Sequence, residues 1–275
     1  MTTEQGIRLY LENNAVNIRI LTPCFGSTCF TNYVASLLKT TNLFNSLGIK
    51  YEIDFCNSDS LVPRARNNML ANALCDPGTT HIMFIDADIE WHPHDILKLL
   101  LADKGIVGGI YPLKNFRWER LLDEGIIQQW KDKKSSPLLK DVTDEILVQN
   151  CLLNYNFNRK ESDDPSRIEV QNDIVEVRHL ATGFMMIKRE VIESMQKALP
   201  MTKYTDDVGY LTEEGQKHAY ALFDCSIVDG HYFSEDWLFC QRWNNMGGII
   251  YANISINLTH IGVQSFRGNF LGAYL

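Results

Sequence analysis

Apolar positions along the chain fall into a repeating order of short runs and helical stripes. Val16-Asn17-Ile18-Arg19-Ile20-Leu21-Thr22-Pro23 alternates apolar and polar residues and stops at a proline, as a first strand would. Val34, Leu37, Leu38, Phe44 and Leu47 then recur at helical spacing between Thr31 and a terminating Gly48. Tyr51 to Cys56 reads as a second strand, and Pro63 opens a helix through Ala73. His81 to Asp86 is the third strand, and its unbroken core Ile82-Met83-Phe84-Ile85 suits burial on both faces. Pro93 and Asp95 begin a helix through Leu101, and Gly105 to Tyr111 returns as a fourth strand. Strand alternating with helix predicts a parallel sheet.

Between Asp123 and Asp173 the pattern breaks into polar sequence, with Lys131-Asp132-Lys133-Lys134 and Glu161-Ser162-Asp163-Asp164-Pro165 as its extremes. This segment reads as an insertion or lid. Order resumes with Ile174 to His179, then Thr182-Gly183, then Phe184-Met185-Met186-Ile187. After Ser234, a candidate N-cap, Trp237, Leu238, Cys240 and Trp243 outline the buried face of another helix. An apolar, glycine-containing tail runs from Phe266 to Leu275.

Composition narrows the class. With 275 residues, 45% of them hydrophobic, the chain can bury a core as one large domain with an insertion. Its formal net charge of −8 argues against nucleic acid or an anionic membrane as partner. Seven cysteines form no C-x-x-C pair of the zinc or redox kind, which implies reduced thiols. No stretch has the length of a transmembrane helix, and the polar N-terminus lacks a signal-peptide pattern. The expectation is a cytoplasmic protein with no integral membrane segment, resident in host cytoplasm if viral.

The candidate chemistry sits where the third strand ends. Asp86-Ala87-Asp88 follows the apolar run directly, and open α/β sheets bind ligands at the carboxyl ends of such strands. Oxygen ligands in this spacing suit Mg²⁺ or Mn²⁺, which can hold a diphosphate. A surface acid pair or a helix N-cap is the plainer use of two aspartates, but the preceding buried strand disfavours it.

Leu21-Thr22-Pro23, Pro63-Arg64-Ala65-Arg66-Asn67, Asp86-Ala87-Asp88, Thr182-Gly183-Phe184, Ser234-Glu235-Asp236-Trp237 and Thr259-His260-Ile261-Gly262 follow one another along the chain. In this order they resemble the motifs of nucleotide-sugar glycosyltransferases of GT-A fold, in particular the compact soluble enzymes of bacteria, phages and large DNA viruses. The resemblance covers most of the chain apart from the polar insertion. It implies a GT-A-like mixed, mainly parallel sheet flanked by helices: a nucleotide-binding half over 16–122, the insertion over 123–173, and an acceptor half with the tail over 174–275.

The same resemblance assigns roles. Asp88 would ligate the metal, Asp86 would contact it through water or touch the ribose, and His260 would complete the site. Asp236 would be the base that deprotonates the acceptor hydroxyl, with Glu235 beside it, although acids in a first helical turn are also explained by the dipole. Thr22, Pro23, Asp59, Arg66, Asn67 and Ala87 would border the nucleotide, and Arg267 in the tail would pair with a phosphate. Tyr111, Lys114, Thr182, Gly183 and Trp237 would line the sugar or acceptor side. His92 and His94 read as solvated loop histidines.

The implied activity is a metal-dependent, inverting hexosyl- or pentosyltransferase. It would carry a sugar from a nucleoside diphosphate, UDP favoured, to a hydroxyl of a glycan or glycoprotein. A sugar-nucleotide-forming nucleotidyltransferase is the alternative enzyme, disfavoured because Thr22-Pro23-Cys24-Phe25-Gly26-Ser27 offers one glycine and no base. A haloacid-dehalogenase-like phosphatase fits less well, since Ile89-Glu90 follows the triplet. A non-catalytic sugar-nucleotide or glycan binding module is the third reading, against which the presence of Asp86, Asp88, Asp236 and His260 together counts.

Overall fold

A computed structural model describes residues 2–57, 59–122, 125–140, 142–160 and 169–264. Arg267 and the rest of the tail after Gln264 lie outside the described residues. In chain order the elements begin with α1 (Thr3–Asn13), β1 (Asn17–Cys24), α2 (Thr31–Leu47), β2 (Lys50–Asn57) and α3 (Val62–Leu74). There follow β3 (His81–Ile85), β4 (Ile89–Glu90), α4 (Pro93–Ala102), β5 (Ile106–Gly109) and β6 (Pro112–Phe116). The polar segment supplies α5 (Ile126–Ser135), α6 (Asp144–Leu152), β7 (Leu153–Tyr155) and β8 (Phe157–Arg159). The last part contains β9 (Ile174–Leu180), β10 (Phe184–Lys188), α7 (Arg189–Ala198), α8 (Glu213–Lys217), β11 (Ser226–Val228), β12 (His231–Phe233), α9 (Glu235–Asn245), β13 (Ile250–Asn253) and β14 (Thr259–His260).

The fold is mixed α/β with a large central sheet of order β2-β1-β3-β10-β5-β13-β9-β8. Only β9 and β10 run against the other strands, so the sheet is mainly parallel. Helices cover both faces, and β3 shows why its sequence is apolar without alternation. Met83 and Ile85 enter the core shared with α2 and α4, whereas Ile82 and Phe84 enter the core shared with α3, α7 and α9. All five β3 residues are buried. Each large aliphatic or aromatic side chain so buried contributes about 1.5–3 kcal/mol relative to exposure. Among the described residues no helix is long and apolar enough to cross a membrane.

Three local expectations need correction. On α2, Val34 and Leu38 are exposed at 42% and 60%, while Tyr33, Ser36 and Thr40 are buried in their place. On α9 the buried residues are Leu238, Phe239 and Cys240, and Trp237 and Trp243 are only partly covered. His92 is no free loop histidine: its ring accepts the N–H of His94 at 3.3 Å, and the buried Asp95 carboxylate accepts its N–H at 3.0 Å, capping α4. The polar segment is also structured where it is described. Its helices α5 and α6 pack together, and β8 forms the edge strand of the central sheet.

Candidate active site

The carboxyl ends of β1, β2, β3 and β5 and the amino end of antiparallel β10 meet at one edge of the sheet. Because β1 continues to β2 on one side while β3 pairs on its other side, the crossovers diverge there, which opens a crevice. A cleft of about 300 Å³ occupies it, walled by Pro23 and Cys24 at the end of β1 and Phe25, Thr28 and Phe30 after it, by Cys56 at the end of β2 and Asp59 after it, by Arg66 of α3, and by Asp86-Ala87-Asp88 after β3. Its size falls at the lower end of small-molecule sites. A larger depression at Lys203, Tyr204, Glu213 and Lys217 is shallow and includes none of these residues.

The acidic turn is fastened from three directions. Asp86 N–H donates to the Gly183 carbonyl at 3.0 Å, Phe30 N–H donates to the Ala87 carbonyl at 3.0 Å, and Ile261 N–H donates to the Asp88 carbonyl at 2.8 Å. The short antiparallel pairing of β4 with β14 sets His260 opposite Ile89. These backbone bonds bring residues 172 positions apart in the chain, Asp88 and His260, to one spot, with His260 Nε2 3.6 Å from Asp88 Oδ1. That separation is longer than a hydrogen bond.

His260 Nδ1 lies 2.8 Å from the Pro112 carbonyl oxygen, an acceptor only, so Nδ1 carries the proton and Nε2 is left to face the carboxylate. This is the arrangement by which a backbone carbonyl orients a metal-ligating histidine. Asp88 Oδ1 is buried and has no hydrogen-bond partner. Burial alone would raise the Asp88 pKa, but His260 and Lys114 outweigh it and hold the carboxyl below the usual range. An orphaned carboxylate oxygen beside an oriented imidazole suits a divalent cation whose other ligands would be phosphate and water.

Asp86 does not complete that pair. Its Oδ1 accepts from Arg66 Nη2 at 2.9 Å, and Arg66 Nε reaches Glu235 Oε1 at 3.4 Å. Among the described residues no three His, Cys, Asp or Glu side chains converge to hold a metal. Burial penalises the Arg66 charge, yet the carboxylates of Asp86 and Glu235 raise its pKa above the ordinary value. Its Nη1 is buried without a partner. Arg66 is therefore no exposed helical arginine but a buried one in the cleft wall.

Tyr111 joins the two sides of the site. Its ring packs edge-on against His260 at 5.0 Å, and its hydroxyl accepts from Gly183 N–H at 3.3 Å. Burial, then the charge of Asp86, push the phenol pKa up, and the Asp236 charge adds to this. A side chain at Gly183 would meet the Tyr111 hydroxyl at 2.5 Å and Asp86 Oδ2 at 2.9 Å, so only glycine fits. Thr182 is buried with its hydroxyl unpartnered. Lys114 Nζ contacts Asp88 Oδ2.

Asp236 lies in the first turn of α9, where its Oδ1 accepts from the Ser234 hydroxyl and from Trp237 N–H, the latter at 2.8 Å. Trp237 stacks on His179 with ring centroids 5.0 Å apart and planes within 7°. His179 and Tyr33 are support residues that sequence reasoning missed; each lies at a covered position whose partners are remote in the chain.

Of the expected nucleotide contacts, two are buried in the fold and a third is held in an ion pair. Thr22 has no exposed surface, and its hydroxyl is 2.6 Å from that of Tyr33. Asn67 is buried with both ends of its amide on the Phe223 backbone: Nδ2 donates to the carbonyl at 2.7 Å and Oδ1 accepts from the N–H at 3.0 Å. Asp59 does line the cleft, but Arg64 binds both its oxygens, at 2.7 and 3.0 Å, and holds its pKa down.

No protein-family model and no curated protein sequence matches the chain. Among solved structures, the crystal structure of A197 from STIV aligns over 90% of this chain and 87% of its own, at 16% identity and a TM-score of 0.48. The inositol-1-phosphate CTP transferase from T. maritima aligns over 90% of both chains, at 9% identity and a TM-score of 0.37. At these values neither likeness bears on function, and the fold class stands on the topology itself.

Proposed function

We propose that this protein is a metal-dependent glycosyltransferase of GT-A type that moves a sugar from a nucleoside diphosphate, UDP favoured, to a hydroxyl of a glycan or glycoprotein, with inversion. The observation that carries the reading is the Asp88–His260 pair, 3.6 Å apart with an orphaned Asp88 oxygen, in which Asp88 lines the cleft at the sheet's switch point.

Each residue then has a task set by its surroundings. Asp88 and His260 would hold Mn²⁺ or Mg²⁺, which supplies positive charge to the departing diphosphate. Arg66, kept charged by Asp86 and Glu235 in the cleft wall, would counter the negative charge of the donor phosphates. Gly183 lets backbone approach closely beside Tyr111. Asp236 is the base that accepts the acceptor's proton, and Trp237 borders the acceptor on the platform of His179. Arg267 remains a candidate phosphate ligand from the tail.

Isothermal calorimetry of UDP, GDP and their sugar conjugates, with Mn²⁺ and then with EDTA, tests this. Binding should require the metal and be lost in Asp88→Ala. Absence of binding to every nucleotide would sink the proposal.

A further inference from the structure

The first wall of the cleft includes Cys24, one member of a thiol pair that the proposed transfer chemistry does not use. Cys24 closes β1 and Cys29 precedes Phe30 at the start of α2, and their sulfurs are 3.4 Å apart. Both are free thiols. A disulfide needs about 2.0 Å between sulfurs, so closure asks for a shift of little more than one ångström. The intervening turn can accommodate it. Gly26 and Ser27 already adopt left-handed conformations, and nothing lies within 4 Å of the Gly26 Cβ position. Cys24 is 2% exposed, its thiol pushed up to about 12 by burial and by Cys29, whereas Cys29 is partly exposed.

We infer that Cys24 and Cys29 form a redox modification site that a hydroperoxide closes to a disulfide in the wall of the donor cleft. The Cys29 thiolate attacks the peroxide's terminal oxygen; an S–O bond forms, the O–O bond breaks, and the alcohol or water leaves with a proton. The Cys24 sulfur then attacks the sulfenic sulfur; an S–S bond forms, the S–O bond breaks, and hydroxide departs as water with the Cys24 proton. Two thiols lose two electrons and the peroxide gains them. Exposure selects Cys29 as the attacking sulfur and Cys24 as the resolving one.

The bond reaches the acidic turn through one hydrogen bond. Phe30, next to Cys29, donates its N–H to the Ala87 carbonyl at 3.0 Å, and Cys24, Phe25, Thr28 and Phe30 all face the cleft. Closing the ring ties the end of β1 to the residue that braces Asp86-Ala87-Asp88. The consequence for donor binding rests on the proposed function; formation of the bond does not.

The test is hydrogen peroxide treatment of the full chain, followed by intact mass and non-reducing peptide mapping. The expected result is loss of two hydrogen masses and a peptide linking Cys24 to Cys29, abolished in Cys29→Ser and retained in Cys56→Ser. No link, a Cys24–Cys56 link, or a Cys29 sulfinic acid without a link overturns the inference. Amide exchange at Phe30 should slow about threefold on oxidation, as expected when a local opening is restrained. An unchanged rate overturns the coupling to the turn. UDP titration of reduced and oxidised protein in Mn²⁺ separates the two proposals: failure of the reduced protein to bind removes the donor reading and leaves the mapped disulfide standing.

Discussion

Lys114 Nζ sits on Asp88 Oδ2, one of the two oxygens through which that carboxylate could hold a cation. The contact is no accident of a long side chain lying over an open surface. A side chain at Gly262 would come within 2.8 Å of Lys114 Cδ, so the glycine two residues after His260 leaves room for the lysine. The ammonium and the proposed divalent cation would compete for the same charge. Replacing it with the uncharged, similarly long glutamine should therefore tighten Mn²⁺ binding. At a side chain 36% exposed the ion pair is worth about 0.5–1 kcal/mol, which corresponds to about two- to fivefold in affinity. Mn²⁺ titration followed by electron paramagnetic resonance reads this directly; weaker binding in Lys114→Gln would show that the lysine supports the cation.

Gly183→Ala should damage the site through packing alone. The new methyl would lie 2.5 Å from the Tyr111 hydroxyl and 2.9 Å from Asp86 Oδ2, and Tyr111 is 5% exposed with little room to retreat. Overpacking of this kind costs about 1–3 kcal/mol. Thermal unfolding should report that loss, and calorimetry should report weakened nucleotide binding. A variant with native stability and native affinity would mean that Tyr111 moves freely.

Asn67→Ala separates a structural role from a binding one. The substitution leaves the Phe223 N–H and carbonyl without the two partners that fix the chain over α3. Unfilled buried backbone groups cost about 1–3 kcal/mol each, so urea unfolding should show a destabilisation of about 2–6 kcal/mol for the two. UDP affinity of the folded variant should match the parent. A selective loss of affinity at unchanged stability would return Asn67 to the nucleotide site.

These contrasts show what was legible in the chain and what was not. β3 and its acids could be read because an unbroken apolar run has one structural use in a covered sheet, and the acids follow it immediately. The buried face of α2 was misread because its polar members are matched by distant partners. The Tyr33 hydroxyl meets Thr22, the Ser36 hydroxyl donates to the Trp91 carbonyl at 2.8 Å, and Thr40 accepts from Trp91 Nε1 at 2.9 Å. Periodicity scores those residues as polar and turns the helix toward Val34 and Leu38. The pairing of Asn67 was hidden for the same reason, since its partner Phe223 lies 156 residues away. Arg66 and His260 were identifiable through motif order, but the Arg66 bridge to Glu235 and the carbonyl that orients His260 depend on contacts across the whole chain.

His81 makes stability pH-dependent. Burial, then the charge of Lys188, push its pKa down to about 4, against an unfolded value of about 6.5. The unfolded chain therefore binds the proton first. The neutral ring's contribution is complete above about pH 6.5, declines as pH falls, and is fully lost below about 4, with a ceiling near 3 kcal/mol. Urea midpoints should fall between about pH 7.5 and pH 5, and His81→Gln should flatten that fall. An equally steep decline in the variant would assign the proton to another group.

Asp236→Asn tests the base without disturbing its helix. Asparagine caps and opens helices as well as aspartate, and its side-chain oxygen can still accept from the Ser234 hydroxyl and the Trp237 N–H. The variant should keep its stability and its metal-dependent UDP affinity, because Asp88, His260 and Arg66 are untouched. It cannot take a proton from the acceptor, so sugar transfer should fall by about 10²–10⁴-fold. Under the proposed inverting transfer, the parent protein should give a β-linked product from an α-linked donor, read by NMR. Full transfer activity in Asp236→Asn, or an α-linked product from the parent, would leave Asp236 as a helix-start acid and remove the inverting mechanism.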